Sequence, residues 1–268
     1  MITWNVSPTI VHVGPLQLRW YGLMFLAGFL IGFQGMKKIC MWEKKPLEKL
    51  DSLLTYLFMG TLFGARLGHC LFYEPSYYFT HPLDILKIWE GGLASHGGGI
   101  GVLIAIWLFS RKNPEFPLFW ILDRVAIFTV LTGSFIRIGN LMNSEIVGRP
   151  TDLPWAFVFT KIDSLPRHPT QIYESLCYLV IAGLGWRTYL KYKARLPAGR
   201  VFGLTMALIF VARFGIEFLK ENQEPFEASM IVNMGQLLSI PFILVGAYFY
   251  IRSFQGVREA VPVKTGKK

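Results

Sequence analysis

The sequence predicts an all-α polytopic membrane protein of about seven transmembrane helices, with the N-terminus outside and the C-terminus cytoplasmic. Three observations carry that expectation. The 268 residues are 53% hydrophobic and 15% aromatic but only 16% charged, whereas soluble domains carry about a quarter charged residues. The apolar residues gather into seven runs that approach the ~20 residues a bilayer crossing requires. Lysine and arginine, finally, are shared unequally between the two sets of connections. The expected organisation is one integral-membrane domain, residues 1–255, followed by a basic cytoplasmic tail, 256–268.

The spans fall at roughly 20–36, 50–73, 95–110, 118–139, 172–190, 201–219 and 234–251. The third is short for a full crossing. Glycines at four-residue spacing, Gly28 with Gly32 and Gly60, Gly64 and Gly68, suit close helix–helix approach in lipid. The connections 37–49, 111–112 and 187–200, together with 252–268, hold 17 of the 27 basic residues, and the opposite set holds seven. The lysine- and arginine-rich side is normally cytoplasmic, which puts the connection 140–171 outside. An odd number of spans agrees with termini on opposite sides.

The same distribution answers the formal net charge of +10. Basic chains often bind nucleic acid, but here the basic residues sit between apolar runs, as topology signals and lipid-headgroup contacts do. No nucleic-acid partner is expected. Cys40, Cys70 and Cys177 lie far apart, at or inside apolar runs, and match no zinc or redox spacing. They read as small core residues. The first twenty residues lack a basic stretch followed by an apolar core, so no cleaved signal peptide is expected. No GxGxxG, Walker or HExxH pattern is present.

Orientation turns scattered polar residues into a constellation. Tyr21 starts span 1 at the outer face, and Arg66 lies about seven residues below it in span 2, or ~10 Å. His96 of "ASHGGGIG" stands at the outer mouth of span 3, Arg137 and Asn140 end span 4, and Arg213 and Glu217 end span 6 one helical turn apart. Ionisable groups at bilayer depth cost ~2.5–3.5 kcal/mol each and usually mark a pathway or a site. Bland readings stand beside each. Arg213 and Glu217 could form a structural ion pair, Arg66 could snorkel to the outer headgroups, and a lone histidine is most often interfacial. Asp123 and Arg124, at the inner end of span 4, read as interfacial, and His12, His69 and His81 as surface or packing residues.

Arginines near the outer leaflet suit a phosphate held by charge-assisted bonds. The nearest phosphate at that depth belongs to a lipid headgroup. A histidine at the same level can accept a proton near neutral pH, and asparagines can fix ester or glycerol oxygens. The implied class is transfer from an anionic phospholipid to an acceptor that must be deprotonated. A transporter for an anionic solute, and a membrane chaperone for exported proteins, are the rivals. Against transport, polarity in the inner half is largely limited to Asp123 and Arg124.

Several blocks then resemble one family. "RIGNLMNSEIVGRP" (137–150) is similar to the signature of the prolipoprotein diacylglyceryl transferases. The likeness extends to "LRWYGLMF", "GARLGHCLFY", "WEGGLASHGGGIG", "LPRHPTQIYE", "RFGIEFLKE" and "MGQLLSIP", in order from about residue 8 to 255. The resemblance implies an enzyme of the bacterial inner membrane with no metal or organic cofactor. Such enzymes move the diacylglyceryl group of phosphatidylglycerol to the thiol of the lipobox cysteine in a prolipoprotein signal peptide, releasing glycerol phosphate. Arg137, Asn140, Asn143, Glu145 and Gly148 match the family signature, His96 and Gly97 its histidine–glycine pair, Tyr21 its N-terminal tyrosine, and Arg213 with Glu217 its late arginine and glutamate. Ile136 and Ser144 stand where glycines are common, Leu141 replaces a phenylalanine, and Ile209 stands where some members have a tyrosine.

The roles this implies are specific. Arg137 and Arg213 hold the lipid phosphate, Asn140 positions glyceryl oxygens, and Tyr21, Gly97 and Arg66 complete the lipid site. His96 is the candidate base, with Glu217 orienting Arg213 and Asn143, Glu145 and Gly148 bracing the signature loop. An alternative gives proton removal to an arginine-linked water or a carboxylate, leaving His96 to bind phosphate. "LPRHPTQIYE", despite Arg167 and His168, reads as a loop whose prolines fix the entry to span 5. Gln171, Tyr173 and Glu174 are expected to tie that span to the others. A monomer satisfies every feature.

Overall fold

The computed structural model describes residues 1–13, 16–88, 91–92, 94–221 and 232–259. Most of the connection before the last helix, the end of the basic tail, and Trp89, Glu90 and Leu93 of the "WEGGLASHGGGIG" block lie outside the described residues. The helices are α1 (Trp20–Trp42), α2 (Glu48–Phe72), α3 (Pro75–Thr80), α4 (Ser95–Lys112), α5 (Leu118–Asn143), α6 (Thr170–Tyr192), α7 (Arg200–Glu217) and α8 (Met234–Glu259). All seven expected spans are helical. Three of these helices, Trp20–Trp42, Leu118–Asn143 and Met234–Gln255, are each long and apolar enough to cross a membrane on length and composition.

The fold is mostly helical, yet not wholly so. β1 (Ile2–Trp4), β2 (Thr9–Val13), β3 (Leu16–Arg19), β4 (Phe157–Phe159) and β5 (Pro166–Arg167) correct the all-α expectation. β1 runs parallel to β4, β5 pairs antiparallel to β4 on its other side, and β2 and β3 form a separate antiparallel pair. The reason is local. β-Branched and aromatic residues such as "TIVHV" and "FVF" favour a pleated surface, and strands this short escape a search for membrane-length runs.

The chain divides into two compact units, residues 36–122 and residues 1–35 with 123–268. In the first, α2 and α4 pack with almost no gap. A methyl carbon on Gly101 would stand 2.0 Å from the Gly60 carbonyl oxygen, and one on Gly97 2.3 Å from that of Gly64. The predicted glycine spacing therefore serves a backbone-to-backbone contact.

In the second unit α5, α6 and α7 share an apolar core of Val130, Tyr178, Ile181 and Ala182, with Leu208, Ile209 and Ala212 against it. Gly28 of α1 sits directly on Thr132 of α5. At the other end of α5, Asp123 reaches across to start α7. Its carboxylate accepts the amide hydrogens of Gly199 at 2.8 Å and Phe202 at 2.9 Å, donors that a helix start leaves without an intrahelical partner. Arg200 is bound to Ser253 and Tyr192 nearby. The outward faces of the helices carry Phe25, Leu26, Val211, Leu244 and Ile251, all exposed, as surfaces that meet lipid must.

Candidate functional site

The site begins where α5 stops. The Ser144 amide donates to the Leu141 carbonyl at 3.0 Å and the Glu145 amide to the Asn140 carbonyl at 2.9 Å. This paired closure ends a helix with one left-handed residue, and that residue is Ser144, at φ 56°. Ile146 also has φ 56°, an uncommon conformation for a β-branched side chain. Two side chains from the start of α6 hold this strained turn. Thr170 Oγ1 donates to the Ile146 carbonyl at 2.9 Å and Gln171 Nε2 to the Glu145 carbonyl at 2.5 Å.

That turn aims the signature side chains at one another. The Glu145 carboxylate accepts hydrogen bonds from Asn140 Nδ2 and Asn143 Nδ2, each at 3.0 Å. Asn140 Oδ1 in turn accepts from Arg137 Nη1 at 3.2 Å. Arg137 also stands 2.9 Å, through Nε, from Glu174 Oε2 on α6. Tyr21 packs over Gly139, where a methyl carbon would meet its ring at 2.9 Å. Tyr21 and Tyr178 both act electrostatically on Arg137.

Glu174 extends the line. Its Oε1 accepts from Lys220 Nζ at 3.0 Å, and Lys220 Nζ also donates to Glu217 Oε2 at 3.1 Å. Glu174 is 0% exposed and Lys220 2%. Beyond them, Gly235 faces the Glu217 carboxylate, whose Cδ would lie 2.6 Å from an added methyl carbon. Asn233 and Gln236 bond each other's backbone amides there, the reciprocal cap of a helix start.

Gly148 lies beside this line. Its amide donates to the His168 carbonyl at 3.0 Å, and its own carbonyl accepts from Arg167 Nη1 at 3.2 Å. A side chain at Gly148 would strike His168 and the Leu219 carbonyl. Arg167 also binds Asp163, with Nε 3.1 Å from Oδ2, and Glu221 at 2.8 Å. The Arg167 guanidinium holds the Asp163 carboxyl below its ordinary range, and the two carboxylates raise Arg167 in return. The "LPRHPTQIYE" segment is therefore more than an entry loop. It supplies Arg167, Thr170, Gln171 and Glu174 to the signature loop and its arginine.

One expected pair is corrected. Arg213 is half-buried and has neither hydrogen bond nor ion pair among the described residues, and Glu217 is bound to Lys220 instead. Tyr178 lies in the field of both Arg213 and Arg137.

The remaining expected residues belong to the unit 36–122. His96 is the second residue of α4, exposed, with ring contacts to Phe72 and Tyr73 at 5.7 and 5.8 Å. Gly97, proposed from sequence for lipid binding, is buried against Gly64 and Gly68 of α2. Arg66 is buried and spends its donors on backbone. It binds the carbonyls of Asp84 and Gly91 at 2.6 Å and Ile85 at 3.0 Å, and its guanidinium lies over Tyr78. That geometry braces the connection between α2 and α4 and does not turn the guanidinium toward the surface.

Lys220 is the residue sequence reasoning passed over. The usable signal was its spacing from Glu217 at the end of an apolar helix, where a charge is costly unless paired.

A helical scaffold with apolar outer faces and a partly buried line of arginine, carboxylates and lysine drawn from three helices marks a membrane protein with paired charges held largely out of water. The profile of the prolipoprotein diacylglyceryl transferases matches residues 8–252. The chain is 53% identical to the phosphatidylglycerol--prolipoprotein diacylglyceryl transferase of Tolumonas auensis, over 94% of this chain and 98% of that one. It is 45% identical to the protein of that name from Chloroherpeton thalassium, over 98% and 97%, and 46% identical to that from Porphyromonas gingivalis, over 94% of each. The chain belongs to the prolipoprotein diacylglyceryl transferase family.

Proposed function

We propose that this protein transfers the diacylglyceryl group of phosphatidylglycerol to the lipobox cysteine thiol of prolipoproteins, the first step of bacterial lipoprotein maturation. The observation that carries the reading is the partly buried Arg137 line, found on the signature of a family whose curated relatives bear that activity in their names. In the reaction a carbon–sulfur bond forms at the glyceryl carbon and its carbon–oxygen bond to phosphate breaks. The thiol gives up its proton and glycerol phosphate leaves. The thiolate is the competent nucleophile, and neutralising the phosphate charge improves the leaving group.

Arg137 and Arg213 supply that neutralisation, and Asn140, held between Arg137 and Glu145, orients glyceryl oxygens. Glu145, Asn143 and Gly148 keep the loop in shape, and Glu217 supports it through Lys220. Tyr21 flanks the lipid, and Gly97 and Arg66 serve it indirectly, through the packing of α4 and the bracing of its entry. His96 is the proposed base, on the strength of its place in the sequence pattern. The seven long helices span the bacterial inner membrane, N-terminus outside and site toward the outer leaflet, a reading supported by the lysine and arginine bias. The protein acts as a monomer, without metal or organic cofactor.

Purified protein incubated with phosphatidylglycerol and a lipobox peptide tests this. The expected result is a mass gain of one diacylglyceryl group on the cysteine, and none on a peptide with serine in its place. Solute flux in liposomes without that product would support the transport alternative, which the relatives do not favour.

A further inference from the structure

We propose that Glu174 is a positioning residue for the transfer reaction, fixing Arg137 in the orientation that meets the lipid phosphate. The inference rests on the transferase reading and adds to it a residue outside the signature loop.

The geometry is direct. Glu174 lies on α6 in the first turns after Pro169, fully buried, where no water can solvate its charge. Its two oxygens face two different cations, Arg137 Nε at 2.9 Å and Lys220 Nζ at 3.0 Å. Arg137 is thereby held from two sides. Asn140 takes one terminal nitrogen and Glu174 faces the inner nitrogen, so the guanidinium plane is set by α5 and α6 together. The contact from Glu174 Oε2 is an ion pair without a hydrogen bond in line, so the carboxylate holds the arginine mainly by charge.

Charge counting gives the reason to assign a role beyond packing. Arg137, Glu174, Lys220 and Glu217 form an alternating row of two cations and two anions. If stability alone were at stake, a buried pair could be replaced by apolar residues at little cost. What an apolar replacement cannot supply is a charge that fixes the plane of a many-donor guanidinium. A displacement of about 1 Å at such a group costs on the order of 10²-fold in rate.

Three variants test the proposal with phosphatidylglycerol and a lipobox peptide. Glu174→Gln keeps shape and loses charge, and its kcat is expected to fall ~10–100-fold while KM for the peptide stays within about twofold. Glu174→Asp, which keeps the charge on a shorter stem, recovers part of that loss. The double variant Glu174→Gln/Lys220→Met restores charge balance; its melting temperature should return toward that of the unaltered protein while kcat stays low. A residue that only balances charge would let the double variant recover both quantities, and that result overturns the proposal. So does a kcat for Glu174→Gln within threefold of the unaltered protein. Should Glu174→Gln not accumulate, the double variant carries the comparison. Absence of transfer by the unaltered protein would overturn the function itself, an outcome distinct from both.

Discussion

Arg137 shows how much one side chain does here. It donates to Asn140, faces Glu174 and lies in the field of Tyr21 and Tyr178, and only a planar fork with several donors can do this from one position. Arg137→Lys is therefore expected to lower transfer ~10²-fold, read as kcat/KM for phosphatidylglycerol, with the melting temperature moving little. His96 offers a sharper test. If it removes the thiol proton, His96→Gln loses most activity near neutral pH and regains part of it at higher pH, where the thiolate forms unaided. A near-normal rate for this variant across pH removes the histidine from the chemistry. Outside the membrane spans, the Asp163–Arg167 pair carries a pH signature. Arg167 lowers the Asp163 carboxyl, so its stabilisation is complete above the ordinary aspartate value of ~3.9 and is lost as pH falls through the lowered value. Asp163→Asn should thus melt earlier than the unaltered protein at pH 7, with the gap closing in acid.

The elements explain which features the sequence disclosed. Seven apolar runs mark seven helices because an apolar stretch of that length shows directly in composition. Glycines four apart mark the α2–α4 contact for the same kind of reason: only their absent side chains let Gly101 and Gly60 approach. Gly101→Leu is expected to cost at least ~1–3 kcal/mol by overpacking, seen as a lower melting temperature or failure to accumulate in membranes. The end of α5 was legible in part. Ser144, standing where glycine is common in the family, occupies the left-handed closing position, so Ser144→Gly is expected to preserve activity and to gain less than ~1 kcal/mol. Partners were less readable. Spacing offers Glu217 both Lys220, three residues on, and Arg213, four residues back, without deciding between them, and it does not place Glu174 against Arg137 across 37 positions of chain. Those choices are made by tertiary packing, as are the short strands that join residues 2–4 to 157–159.

For the whole molecule, the charge asymmetry of the connections predicts a sidedness that labelling can read. In a cysteine-free background, a cysteine at Ser164 should react with a membrane-impermeant maleimide in intact spheroplasts, and one at Arg195 only after lysis. The reverse pattern would invert the proposed orientation. The cap that Asp123 places on α7 has a consequence of another kind, for the order of assembly. The first amides of α7 find their acceptor on a residue made 76 positions earlier, so α5 serves as a template on which the later helix comes to rest. Before that contact forms, the Asp123 carboxylate lacks two of the donors it has in the folded protein. α7 also carries Arg213, whose neighbour Ala212 packs against the apolar core shared with α5 and α6.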